Sequence, residues 1–166
     1  LGIGILTTAQ KKNKLLQEDL TIAAETMCQL NILGTELSEL SSVKAMTDVT
    51  GFGLGGHLRE VCEGSDTSAI INFNKLPLLP HVLDYLEQGC SPGGCDRNFA
   101  SYGDKISKMT NIQRQIVCDP QTSGGLLVMV DKDGEKEFLE LTKKAGMDLN
   151  CIGHLVDKAE VMIEIL

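Results

Sequence analysis

The chain has 166 residues, 42% of them hydrophobic and 23% charged, with a formal net charge of −8. A chain of this size buries roughly 70% of its unfolded surface, and the composition is that of an ordinary globular domain. A pI near 4.8, three arginines (Arg59, Arg97, Arg114) and no basic stripe argue against nucleic-acid binding. No apolar run approaches the ~18 residues a membrane span needs, and no export signal opens the chain, so a cytoplasmic protein is expected.

In chain order, Leu1 to Thr7 alternates glycine with aliphatic residues and reads as a strand or an ordered linker. Leu1 is no natural initiator, which suggests a fragment cut at a domain boundary. Lys12 to Asn31 is predicted as one helix, with Leu16, Leu20, Ala23, Met27 and Leu30 on its apolar face. Gly34 can close it, and Thr35 can cap a short second helix running to Leu40. Val43 to Val49 reads as a buried strand, followed by a glycine loop and a helix from His57 to about Glu63. A strand over Ser68 to Phe73 and a helix over His81 to Gln88 come next. Gly89 to Gln115 is polar, poor in periodicity and expected to be a long loop of functional or mobile kind. Cys118 to Gly125 is a turn-rich segment before the strand Leu126 to Val130. Glu135 to Ala145 is an amphipathic helix, and two short strands follow, Cys151 to Val156 and Val161 to Ile165. Helices and strands alternating in this way predict one α+β domain over residues 1–166, a mixed sheet covered by helices.

The six cysteines (28, 62, 90, 95, 118, 151) include no C-x-x-C pair and read as free, largely buried thiols. Cys90 and Cys95 offer two ligands where a closed zinc site needs four. His57, His81 and His154 form no metal motif.

Chemistry concentrates in Thr47-Asp48-Val49-Thr50-Gly51-Phe52-Gly53-Leu54-Gly55-Gly56-His57. Strand, glycines and helix N-terminus in succession point bare N–H groups and a positive dipole end at an anion. Asp48 at the strand end repels a phosphate unless a cation stands between them, and magnesium is the usual mediator. Asp48 is therefore the candidate magnesium ligand, with Thr50, Gly51 and Gly53 as candidate nucleotide contacts. Gly51, Gly53 and Gly56 also spell G-x-G-x-x-G, but the ribose-binding acid that a dinucleotide site requires after the next strand is missing, because that strand ends in Asn74-Lys75. A packing turn is the plainer alternative for the glycines.

Set beside Asp119-Pro120-Gln121-Thr122-Ser123-Gly124-Gly125, the Thr47–Gly53 motif resembles the C-terminal domain of the selenophosphate synthetase (selenide, water dikinase) family. That family lies within a superfamily that includes aminoimidazole ribonucleotide synthetase, hydrogenase-maturation proteins and thiamine-monophosphate kinase. Gly51-Phe52-Gly53-Leu54 with Gly56-His57-Leu58, and Pro92-Gly93-Gly94 with Arg97-Asn98, fit selenophosphate synthetase better than its cousins. Cys95 departs from the Thr or Ser usual in relatives.

The resemblance implies a fold that is partly ferredoxin-like, and one half of a two-domain enzyme that makes selenophosphate from selenide and ATP with magnesium, releasing AMP and phosphate. It implies that Asp48 binds metal. It places the catalytic Cys or selenocysteine, a lysine and further metal aspartates in an N-terminal domain absent from this chain, and leaves no catalytic residue here. Its partners are then ATP, selenide and that N-terminal domain, with a homodimer at full length. A cousin enzyme with another phosphoryl acceptor, and a noncatalytic binding or dimerisation module, are the competing readings.

Overall fold

Two small sheets share the core of the computed structural model, which describes residues 1–166. The first is an antiparallel pair, β1 (Val43–Asp48) and β3 (Leu126–Val130), with Asp48 opposite Leu126 and a register shift between Val43 and Ala45. The second has three strands. β2 (Thr67–Ile71) lies in the centre, antiparallel to β4 (Gly153–Asp157) and parallel to β5 (Ile163–Ile165). The expected α+β class holds, and the three-stranded sheet is mixed, but the strands divide between two sheets rather than joining in one. β1 is half-buried, not the fully buried strand its apolar run suggests.

Helix α4 (Gly53–Ser65) joins the two sheets and packs on β1, β2 and β5. Its buried side chains Leu54, Leu58 and Cys62 follow the four-residue spacing of one helical face. They meet Ile5, Leu6, Ala69, Ile71, Ile116, Val117 and Ile163 in a continuous core.

The N-terminal elements differ from the sequence expectation. Residues 1–7 are not a strand: α1 runs Ile3–Lys11, with Ile3, Ile5, Leu6 and Ala9 buried. The single helix expected over 12–31 is absent. Asn13 turns to φ +55°, a short 3-10 turn covers Gln17–Asp19, and α2 is confined to Ile22–Cys28. Tertiary bonds override the local periodicity here. The Asp19 carboxylate is drawn inside, where it accepts from the Tyr85 hydroxyl and from His81 Nδ1 at 2.9 Å. Burial pushes the Asp19 carboxyl up, but those two bonds outweigh it and hold the group below the usual range. Lys12 and Lys14 meanwhile donate to the carbonyls of Gly89 and Gln88 at 2.7 and 2.6 Å, just past α5 (Val82–Glu87). The predicted apolar face is accordingly broken, with Leu30 75% exposed. The next helix, α3, spans Leu33–Ser38, so Gly34 and Thr35 lie inside it rather than at a stop and a cap.

The expected loop 89–115 is mostly helix: α6 (Gly93–Tyr102) and α7 (Asn111–Val117). A capping box starts α7, Thr110 and Gln113 exchanging backbone bonds. The buried face of α6 is Cys95, Asn98 and Tyr102, residues that hydropathy does not score as a stripe. A last helix, α8 (Glu135–Lys144), follows β3 as the amphipathic pattern predicts. All six cysteines are free, with Cys28 and Cys151 exposed and the other four buried.

One substitution pair tests this architecture. A Cβ at Gly124 would lie 2.0 Å from the Val49 carbonyl oxygen, whereas one at Gly51 meets nothing within 4 Å. Gly124→Ala is expected to lower stability by about 3 kcal/mol or more, the upper range for overpacking. Gly51→Ala is expected to cost no more than about 1 kcal/mol, as surface substitutions do. Denaturant unfolding of both variants measures the contrast; equal losses would contradict the packing.

Candidate metal and nucleotide site

The site forms where β1 runs into α4. Asp48 is exposed, Val49 buried and Thr50 half-buried. That alternation continues the strand period past its formal end and puts Asp48 and Thr50 on one face. Val49 extends the ladder by donating to the Gly125 carbonyl at 2.9 Å. The Thr50 carbonyl is fixed from two sides, accepting from Gly53 N at 2.9 Å and Gln121 N at 3.0 Å. None of the protein's ion pairs involves Asp48, so its charge faces solvent without a counter-ion.

The glycines divide into two groups. Only Gly51 is an open turn residue: it is exposed, and a Cβ placed on it would have no neighbour within 4 Å. Gly53, Gly55 and Gly56 belong to the first turn of α4, which begins four residues before the His57 start that periodicity predicts. Gly53 adopts φ +68°, and a Cβ there would sit 2.9 Å from the backbone of Val117, Cys118 and Asp119. A Cβ at Gly55 would lie 2.8 Å from Val117. These glycines let α4 approach the end of α7, and Gly51 alone is left open. Asn98 holds the turn by donating to the carbonyls of Gly51 (2.9 Å) and Cys118 (3.0 Å), and the Tyr102 hydroxyl donates to the Phe52 carbonyl.

His57, buried within α4, reaches back so that its Nε2 lies 3.0 Å from Thr50 Oγ1. Its other ring nitrogen is 3.2 Å from Glu60 Oε2, an ionic-range contact that falls short of an aligned hydrogen bond. The sequence alone does not reveal this arrangement, although His57 and Glu60 carry the i, i+3 spacing of helical neighbours. Asn98 and Tyr102 carry no such signal.

The second motif, Asp119 to Gly125, is a brace. Asp119 is fully buried and accepts from Gly4 N at 3.2 Å and Gln121 Nε2 at 2.6 Å, while Gln121 Oε1 accepts from Ile3 N at 3.3 Å. The pair thus satisfies N–H groups at the start of α1, which otherwise lack helical partners. A Cβ on Gly4 would meet Asp119 Oδ1 at 2.4 Å. Arg97 approaches no carboxylate among the ion pairs.

No cluster of three or more His, Cys, Asp or Glu side chains suited to a metal is present. Magnesium does not need one, since it binds through one or two carboxylates and completes its shell with water and phosphate oxygens. The exposed Asp48 carboxylate, without a counter-ion, fits such a shared site. A hollow lined by Phe52, Gly56, Arg59, Glu60, Ser101 and Tyr102, with no part from Asp48, holds about 80 Å³, well below the roughly 300 Å³ of a small-molecule pocket. A larger open hollow of about 410 Å³ runs along the lysine- and glutamate-rich face of α8, where one apolar residue and solvated charges give no convergent donors.

Comparison with known proteins shows the family to which the chain belongs. The family described as AIR synthase related protein, C-terminal domain, matches residues 1–165. A selenide, water dikinase of Sulfurovum sp. is 55% identical over the whole chain and 48% of its own length. One from Aeromonas hydrophila is 58% identical over 93% of the chain and 45% of its own length. The chain thus spans about half the length of the curated relatives it matches. Among solved structures, thiamine-monophosphate kinase from Stenotrophomonas maltophilia superposes with TM-score 0.65 at 17% identity, covering 99% of this chain and 47% of that one. The E. coli hydrogenase maturation protein HypE gives 0.63 at 16%, covering 99% and 43%. At those identities the likeness is one of fold.

The brace makes a pH prediction. Burial pushes the Asp119 carboxyl up to about 7, with the bonds from Gln121 and Gly4 offsetting only part of the effect. In the unfolded chain the group titrates near ~3.9. Between these values the folded state keeps a proton that the unfolded state loses, so this residue's contribution to stability falls as pH rises from about 4 to about 7. Asp119→Asn keeps the shape and one acceptor and removes the titration. The melting temperature of the wild type, relative to the Asn variant, is expected to fall across that window, and a constant difference would contradict the assignment.

Proposed function

We propose, because this chain belongs to the family of AIR synthase related C-terminal domains, that it is the ATP- and magnesium-facing half of a selenide, water dikinase. The match to proteins of that name along the whole chain supports this reading. The observation that carries it is the exposed, unpaired Asp48 carboxylate at the end of β1, beside the opening turn of α4. In this reading the complete enzyme forms selenophosphate from selenide and ATP, releasing AMP and phosphate. Residues 1–166 are one domain, and an N-terminal domain supplies the Cys or selenocysteine nucleophile and the lysine. The complete protein acts in the cytoplasm as a homodimer.

Phosphoryl transfer depends chiefly on positioning and on stabilising charge. The chain's part is the first of these. Asp48 is the metal-binding group, and Thr50, Gly51 and Gly53 form the nucleotide-facing turn. Gly53 contributes by making the turn, since its N–H already bonds the Thr50 carbonyl, while exposed Gly51 allows close approach of a phosphate. Magnesium, when bound, would supply charge neutralisation between Asp48 and the phosphates. The Asn98 and Tyr102 bonds keep the turn in place, and the positive end of α4 favours an anion there.

Two measurements test the reading. The isolated chain, incubated with ATP, magnesium and selenide, is expected to give no selenophosphate signal by phosphorus NMR. In the complete enzyme, Asp48→Asn retains size and hydrogen-bonding capacity but removes the charge. It is expected to lower ATP turnover on the order of 100-fold or more, as loss of several kcal/mol of metal-mediated stabilisation implies, with an unchanged melting temperature. Near-normal turnover at ordinary magnesium concentrations would remove Asp48 from the metal site.

A further inference from the structure

The direction of a backbone N–H is set by the carbonyl of the same peptide, because a planar trans peptide points the two to opposite sides. No peptide bond in this chain is cis. At the turn Thr50–Gly53, Gly53 N donates to the Thr50 carbonyl at 2.9 Å. Phe52 has φ −82° and ψ −1°, the values of the third residue of a type I turn. The Thr50 carbonyl also accepts from Gln121 N at 3.0 Å, so it is directed into the protein and the Gly51 N–H on the same peptide is directed away from it. The next peptide is governed by Asn98 on α6. Its Nδ2 donates to the Gly51 carbonyl at 2.9 Å and to the Cys118 carbonyl at 3.0 Å. A flipped amide would set Oδ1 against both of those oxygens, so the orientation of the side chain is fixed. Asn98 is buried, and the Gly51 carbonyl is therefore drawn inward and the Phe52 N–H turned outward. Gly51 and Phe52 are both exposed, and neither N–H donates a hydrogen bond within the protein.

We propose that Asn98 is a positioning residue: by holding the Gly51 carbonyl inward it turns the Phe52 N–H outward beside that of Gly51, and these two adjacent N–H groups receive a phosphate group of the nucleotide. This rests on the reading of the turn as nucleotide-facing and names the groups that make the contact. Gly53 shapes the turn without touching the ligand, since its N–H is engaged by the Thr50 carbonyl. An ionised phosphate suits such donors, because a hydrogen bond to a charged group is roughly twice as strong as a neutral one. Full reversal of the Gly51–Phe52 peptide is already opposed by Phe52, because the type II turn that results needs positive φ there. Asn98 sets the angle of that peptide and acts on the ligand only through it.

One test is independent of activity. In the complete enzyme labelled with ¹⁵N-glycine and ¹⁵N-phenylalanine, inorganic triphosphate is added with magnesium, and magnesium alone serves as the blank. The amide protons of Gly51 and Phe52 are expected to move downfield together, with that of Gly53 nearly in place. Movement of Gly53 without the other two overturns the proposal. In kinetics, Asn98→Ala and Asn98→Asp are each expected to raise the KM for ATP about tenfold, the scale of one hydrogen bond to a charged group. A smaller change in kcat is expected, the pattern of lost uniform binding. Asp has the shape of Asn but sets an acceptor against the two carbonyls. If Asp behaves as the wild type and Ala does not, Asn98 only fills space and the proposal is overturned. Gly51→Pro guards against misfolding at the buried Asn98, because Gly51 is exposed and a Cβ there meets nothing within 4 Å. Proline suits the second position of a type I turn and removes the N–H, whereas Gly51→Ala keeps it. The KM for ATP is expected to be about tenfold higher in the Pro variant than in the Ala variant, and equal values overturn the proposal. If the amides and KM values do not respond while Asp48→Asn lowers turnover, this inference alone falls. If Asp48→Asn is also without effect, the reading of the turn falls and takes the inference with it.

Discussion

The structure depends on a steric interlock between two glycine-bearing turns. Gly53 passes under the backbone of Val117 to Asp119, and Gly124 lies against the carbonyl of Val49. Neither position tolerates a side chain without moving backbone. Interiors are packed to crystal-like density, so each turn fixes the other's position to within a fraction of an ångström. The strand end carrying Asp48 and the helix start carrying His57 are thereby held as one rigid corner without any covalent cross-link, every cysteine being left as a free thiol.

Polar groups complete what the glycines begin. Asn98 bridges the carbonyls of Gly51 and Cys118, which belong to the two different turns. Asp119 and Gln121 carry the connection further, to the opening of α1. Buried polar groups are tolerable when they are bonded in this way. The same bonds give direction that apolar packing lacks. The site proposed on Asp48 needs that direction, because a misplacement of about 1 Å is costly in catalysis.

Much of this is legible in the residues. The strand before Asp48, the strand Leu126–Val130 and the amphipathic helix Glu135–Lys144 announce themselves by hydrophobic pattern. The motif around Asp48 suggests an anion and a cation side by side, and that suggestion is the basis of the proposed function. What pattern does not show is any element whose reason for existing is a distant partner. The run from Lys12 to Asn31 has good helical spacing, yet Asp19 abandons it for Tyr85 and His81. Residues 93–102 look like a loop because their inward face is Cys95, Asn98 and Tyr102, whose value lies in the bonds they make. Gly53, Gly55 and Gly56 look like loop-formers because glycine weakens a helix. Here they are helical, since the neighbouring chain leaves no room for anything larger.

The sheet order has a consequence for how the chain acquires its structure. Central strand β2 is flanked by β4 and β5, both drawn from the C-terminal end of the chain, and Asp119 braces an α1 that lies 115 residues upstream. Every strand pairing therefore waits on the closure of a long loop, an entropic cost that precedes any reward. Topologies dominated by such distant contacts fold slowly. A nascent chain emerging N-terminus first holds α4 and β2 with one face uncovered until the final strand arrives. Folding of this domain therefore waits until β5 has been made, and the strand edges exposed before then call for shielding from aggregation.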